Sequence, residues 1–186
     1  MNPVQFQEFG YIHLSAGDLL RKEQDTPGSQ FGQLIADHIK SGTIVPVEIT
    51  CSLLENAMLE NMISQASSIT GDEPIPTGNF LIDGFPRNQN NLEGWQKQLD
   101  DKVNIKFVLF FECPRDVCIS RCLQRGRQGS GRADDNPESM AKRLDTYLNQ
   151  TMPIVEYYEK LGAVRRIDAS EDVDDVYEKV RQLFLS

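Results

Sequence analysis

Apolar residues along this chain recur with a period near two over short stretches, then with a period near 3.6, and the pattern switches repeatedly. That switching constrains the fold more than any other feature, because it is the mark of strand and helix alternating around a mostly parallel sheet. Strands are expected at 11–14, 80–82, 106–111 and 164–167. The run Phe107-Val108-Leu109-Phe110-Phe111 is apolar at consecutive positions, as a strand covered on both faces requires, and is placed at the centre of the sheet. The expected class is α/β, a parallel sheet flanked by helices. With 186 residues, one domain over 1–186 is expected rather than two.

The helices follow from stripes and caps. Ser15 with Asp18 forms a capping pair, the hydroxyl taking an orphan amide and the acid facing the positive helix end, so a helix starts near Ala16. Phe31, Leu34, Ile35, His38 and Ile39 share one face and Gly42 stops the turn, giving a helix over 29–41 with His38 as a packed, hydrogen-bonded side chain. Val47, Cys51, Leu54, Met58 and Met62 form a second stripe of core fillers after Pro46. Residues 64–78 lose periodicity and read as a long surface loop. Further helices are expected at 90–99, 114–125, 137–161 and 172–185, the third opening on Asn136 as cap and Pro137 in the first turn. Between Arg125 and Asn136 the chain holds three glycines and no large apolar residue, so that segment has no core of its own.

Nineteen Lys and Arg against 28 Asp and Glu leave a net charge of −9, a field that repels nucleic acid and anionic membranes. Any bound phosphate needs a local cluster of cations. No apolar run approaches the ~20 residues of a membrane span, and residues 1–10 lack a cationic-then-apolar leader, so a cytoplasmic protein is expected. In that setting Cys51, Cys113, Cys118 and Cys122 are expected as reduced, buried thiols. Cys118 and Cys122, spaced i, i+4, form a poor zinc set with only His13 and His38 to join them.

The arginines carry the functional reading. Arg87 follows Asp83-Gly84-Phe85-Pro86 just past the C-terminal end of an expected strand, where open parallel sheets place their ligand crevice. A guanidinium there can fork two phosphate oxygens. Arg21 lies one short helix after the first strand, Arg125 and Arg132 bracket the glycine-rich loop, and Arg143 follows in the next helix. Together they can converge on a polyphosphate; singly, each could equally be a solvated charge balancing an acidic surface. Asp83, at the end of an apolar strand, calls for compensation by an arginine or by water on a magnesium ion.

Four stretches carry a resemblance: Leu14-Ser15-Ala16-Gly17-Asp18-Leu19-Leu20-Arg21, Ile44-Val45-Pro46-Val47-Glu48, Phe80-Leu81-Ile82-Asp83-Gly84-Phe85-Pro86-Arg87-Asn88 and Ser130-Gly131-Arg132-Ala133-Asp134-Asp135-Asn136. In combination they resemble the adenylate-kinase-like nucleoside monophosphate kinases, within the P-loop NTPase-like folds, and most closely their UMP/CMP branch. The resemblance implies transfer from ATP with magnesium to UMP or CMP, directly between the bound nucleotides. It implies an NMP-binding region over 15–64 and a lid over 125–136. Arg21 and Arg87 would hold the monophosphate, Thr43, Ile44 and Val45 would line the base pocket, and Gly84, Phe85, Pro86 and Arg87 would form its floor. Asn91 would read the pyrimidine beside Ser15. Arg125, Arg132 and Arg143 would neutralise the transferring phosphoryl group, and Arg121 would stack on the ATP base, brushed by the backbone of Ala169-Ser170-Glu171. Asp134 and Asp135 would orient the lid arginines, and Asp83 would bind magnesium through water. ATP and pyrimidine monophosphates are the implied partners, with no nucleic acid or membrane, and the protein is expected as a monomer in the cytoplasm and nucleus.

The same resemblance marks a departure. The family opens with a strand and a glycine-rich loop ending Gly-Lys-Gly-Thr, and neither occurs in this sequence. That strand is the middle of the family's sheet, between the strands at 80–82 and 106–111, which are expected to lose their hydrogen-bond partner, so that the sheet rearranges, another chain fills the gap or the product folds poorly. Loss of the phosphate cradle is expected to slow turnover, since one such stabiliser is worth ~10²–10³ in rate. A non-catalytic nucleotide-binding module and an unstable fragment are the alternatives to an active kinase.

Overall fold

The computed structural model describes residues 9–66, 78–129, 132 and 136–185. Strand β1 (Tyr11–Ser15) leads into α1 (Ala16–Asp25), α2 (Gly32–Ser41) and α3 (Val47–Ala66). Strand β2 (Asn79–Asp83) is followed by α4 (Gln89–Leu99), and β3 (Val108–Glu112) by α5 (Arg115–Arg127) and α6 (Pro137–Thr146). A five-residue π-helical turn (Tyr147–Thr151) joins α6 to α7 (Met152–Lys160), and β4 (Val164–Asp168) and α8 (Val173–Leu185) complete the chain.

Local chemistry sets these boundaries. Ser15 Oγ accepts from Asp18 N–H at 3.3 Å at the start of α1, as its capping pair predicts. Gly42 adopts φ 70° and closes α2, while Asn88 and Asn136 cap α4 and α6 through their side-chain oxygens. Helix α2 begins at Gly32 rather than near 29, and Phe31 and Leu34 at its start are 36% and 39% exposed, so the buried face is narrower than the stripe implied. His38 is half-buried with Nδ1 2.8 Å from Thr43 Oγ1. Helix α3 runs on to Ala66, into the segment expected as loop; the rest of that loop, 67–77, lies outside the described residues.

The helix expected as continuous over 137–161 is interrupted. Pro153 has no amide to give the carbonyl of Asn149, and its ring crowds that carbonyl, so the backbone widens there, with Met152 N–H donating to Tyr147 O.

All four strands pair in parallel, but as two separate sheets, β1–β2 and β3–β4. Ile12 lies opposite Phe80 in one, Phe110 opposite Arg166 in the other. Val108 N–H donates to Ala163 O at 2.8 Å and Glu112 O accepts from Ala169 N–H at 2.7 Å, so even-numbered residues of β3 face β4. Leu109 and Phe111 therefore turn their main-chain groups the other way, towards β2. Among the described residues nothing pairs with those inner edges, which lack the hydrogen-bond partner the family's middle strand would supply. One consequence corrects the sequence reading: β3, apolar at successive positions, is only half-buried, and Phe111 is 38% exposed. A strand composed for the middle of a sheet stands here at an edge.

Side chains hold the two sheets together. Ile167, Val176 and Val180 form a cluster against which Tyr11 and Leu81 pack from one sheet and Leu109 from the other. Phe184 of α8 meets Tyr11 and Phe107 edge-on at 5.2 and 5.5 Å. A second cluster joins Leu92 of α4 to Ile154 and Tyr158 of α7 and to Val108 and Val164. Beneath β1 and β2, Leu54, Met58, Trp95 and Leu99 form the largest core cluster. Gly94 makes it close: a Cβ there would stand 2.4 Å from Val47 Cγ2, so α4 approaches α3 at a distance open only to glycine.

All four cysteines are free thiols. Cys51 is buried as expected, and burial pushes its thiol up to about 11. The other three are only half-buried, a correction to the sequence reading. No helix among the described residues is long and apolar enough to cross a membrane.

Candidate active site

A continuous hollow of about 1760 Å³ opens at the C-terminal ends of β1 and β2 and runs inward between β2 and β3. Residues Arg21, Arg87, Arg121, Arg132 and Arg143 all line it. These cations come from positions 122 residues apart in the chain (143 − 21), and the strand ends are what bring them together. Arg125 is the exception: it does not line the hollow, because it lies one turn beyond Arg121 on α5.

Arg87 is held by its own turn. Its Nε donates to Gly84 O at 2.6 Å, and its N–H donates to Asn91 Oδ1 at 3.2 Å. Gly84 has φ 73°, and a Cβ there would meet Arg87 Nη2 at 2.6 Å, so only glycine lets the guanidinium lie back over the turn. Phe85 and Pro86, joined by a cis peptide bond, complete the wall between them. Asn91 is 3% exposed, and Asn88 Oδ1 accepts its N–H at 2.8 Å. One lone pair of its amide oxygen is thus spent on Arg87, and the NH₂ is the end still able to donate to a ligand.

Opposite this turn, Thr43, Ile44 and Val45 line the hollow, with Val45 5% exposed and Thr43 tied to His38. Ser15 lines it as well, its oxygen accepting from Asp18 N–H. Asp18 carries more than a cap. Its Oδ1 accepts from Arg21 and lies 3.4 Å from Arg132 Nη2, so one carboxylate connects two arginines 111 residues apart in the sequence (132 − 21). The hydrogen bond from Arg21, with the charges of Arg21 and Arg132, holds its carboxyl below the usual range against the opposing effect of partial burial. The sequence marks Asp18 as a capping partner; its i, i+3 spacing to Arg21 also signals the ion pair, whereas nothing local points to Arg132.

Arg121 is held from the loop after β4. Its guanidinium donates to three successive carbonyls, Ala169 at 2.5 Å, Ser170 at 3.2 Å and Glu171 at 3.1 Å. It fixes the loop after β4, of which Ala169 and Glu171 line the hollow. Asp83 also lines the hollow but is exposed, so water compensates its charge and the burial argument made for it does not apply. Asp134 and Asp135 lie outside the described residues. Thr151, which sequence reading passed over, also lines the hollow, and its hydroxyl donates to Arg87 O at 2.8 Å.

The arrangement can receive an anion between several guanidiniums and a flat polar ring between Asn91 and the Thr43 loop. Comparison with known proteins points the same way. The adenylate kinase family model matches residues 3–163. The UMP-CMP kinase of Gallus gallus is 54% identical over 178 residues, which cover 96% of this chain and 86% of that protein. The UMP-CMP kinase of Homo sapiens is 52% identical over the same shares, and that of Danio rerio 53% identical over 95% of this chain and 85% of its own. With the family model covering most of its length and relatives this similar on both sides of the match, the chain belongs to the adenylate kinase family.

Proposed function

We propose that this protein transfers the terminal phosphoryl group of ATP to UMP or CMP, giving ADP and UDP or CDP. The observation that carries the reading is the meeting of Arg21, Arg87, Arg132 and Arg143 around one hollow at the strand ends. Guanidiniums gathered at one hollow present forked donors that match the oxygens of a phosphate.

The roles follow from position. Arg87, its Nε held by Gly84 O, binds the acceptor phosphate together with Arg21. The Asn91 NH₂ donates to the C2 carbonyl, which uracil and cytosine share, so one amide serves both bases. Thr43, Ile44, Val45 and Ser15 line the base side, and Gly84, Phe85 and Pro86 form its floor. Arg132 and Arg143 face the region between donor and acceptor, where they neutralise the charge that spreads over the transferring group. Arg125 serves from the lid once nucleotide closes it, with Asp134 and Asp135 orienting the lid arginines. Arg121 shapes the adenine side by fixing the Ala169 to Glu171 backbone.

ATP enters as its magnesium complex. Among the described residues no cluster of three or more His, Cys, Asp or Glu is built to cage a metal, and an exposed carboxylate in the hollow would hold a hydrated magnesium ion through water. Asp83 is that carboxylate, and the ion supplies neutralisation of the phosphate charge.

The test pairs calorimetric titration of CMP with ATP-dependent CDP formation on one sample. Saturable CMP binding with turnover is expected; absence of CMP binding overturns the reading, and binding without turnover reassigns the chain to a nucleotide-binding module. Arg87→Ala should lower kcat/KM by at least ~10²-fold, since it removes a charged contact to the reacting phosphate.

A further inference from the structure

Arg87 must aim a guanidinium from an exposed turn, and its main chain is gripped at both ends. Asn91 Oδ1 takes its N–H at 3.2 Å, and Thr151 Oγ1 donates to its carbonyl at 2.8 Å, across 64 residues of sequence. The first contact lies within one capped turn. The second comes from a different element, from the last residue of the π-helical turn.

The position of that turn is informative. In an uninterrupted α-helix Thr151, eight residues after Arg143, would stand about 80° around the axis from it. The wider turn advances less per residue and brings Thr151 back towards the side of Arg143, and both line the hollow. Pro153 makes the wider turn the natural backbone at this point. Single π turns within helices recur at functional sites because they re-aim one side chain without breaking the helix.

We propose that Thr151 is a positioning residue for the acceptor phosphate. Its hydroxyl fixes the Arg87 peptide and ties the acceptor arginine to the helical run that carries Arg143, so that the two cations keep one spacing around the transferred group. The inference rests on the kinase reading above.

The experiment compares wild type with Thr151→Val, which keeps the shape and removes the hydroxyl, and Thr151→Ser, which keeps the hydroxyl. Loss of one hydrogen bond to a phosphate-aiming turn corresponds to a rise of about three- to tenfold in KM for CMP in the Val variant. KM for ATP should stay within twofold, and Thr151→Ser should restore the wild-type KM for CMP. An unchanged KM for CMP, equal rises for both nucleotides, or a Ser variant as impaired as Val overturns the proposal. A second measurement guards against general destabilisation: with Arg87→Ala in place, calorimetry should find no further loss of CMP affinity on adding Thr151→Val. A further loss of the full size sinks it. Failure of wild type to make CDP would count against the kinase reading, whereas an active wild type with an unaffected Thr151→Val would remove only this inference.

Discussion

Asp18 concentrates the electrostatics of the site in one carboxylate. It pairs with both Arg21 and Arg132 while remaining 61% exposed. Exposure limits its worth, and Asp18→Asn should cost under ~1 kcal/mol at pH 7. Its pH signature is more telling. A carboxyl held below its ordinary value of 3.8 contributes stability that is complete above that value and disappears as pH falls through the lower folded-state value. Wild type should therefore lose more stability than Asp18→Asn between about pH 5 and pH 2. Urea melts of the two proteins at pH 7, 4 and 3 would measure the difference. Parallel curves at all three would show that the ion pairs contribute nothing to the fold. The cap on Asp18 N–H was legible from Ser15 three residues earlier; Arg132, 114 residues away, was not, because no local rule reports a partner that distant.

Helices and strands were legible where the signal is local. Ser15 and Asn136 cap the helices they should, and the strand centres fall where the short apolar runs are. Pro153 could have announced the break between α6 and α7, yet the apolar stripe runs through it and was read as one helix. Gly94 was the quieter omission. Nothing in a helical stripe says that a glycine is there to let a neighbour in. Gly94→Ala should gain up to ~1 kcal/mol from helix propensity. It should lose about 1–3 kcal/mol by driving a methyl into Val47, whose Cγ2 and Cγ1 would stand 2.4 and 2.9 Å away. The expected net effect is destabilisation. Adding Val47→Ala should reverse much of that loss, since the contact left would be Val47 Cβ at 3.2 Å. Additive costs in this double-mutant cycle, read from denaturant midpoints, would show that the two helices adjust by sliding and not by that contact.

The molecule as a whole is organised around two half-sheets bridged by side chains. Helix α8 carries the bridge: Val180 is fully buried, Tyr11 and Leu81 reach it from β1 and β2, and Leu109 reaches it from β3. Apolar burial, which needs no register, thus replaces the main-chain ladder that usually joins neighbouring strands. The apolar run at 107–111 was legible as a strand, but its place in the sheet was not, because what covers a strand is decided by its neighbours. The ladder to β4 makes the arrangement measurable residue by residue. The amides of Val108, Phe110 and Glu112 face β4 and should exchange slowly with deuterium, whereas those of Leu109 and Phe111 face the hollow. Without a partner strand, these two should exchange faster by several orders of magnitude, at rates set by local openings instead of global unfolding. Alternating protection along β3 is the expected pattern in hydrogen exchange read by NMR. Uniform protection would mean that a further strand pairs with β3, and the division into two sheets would then be wrong.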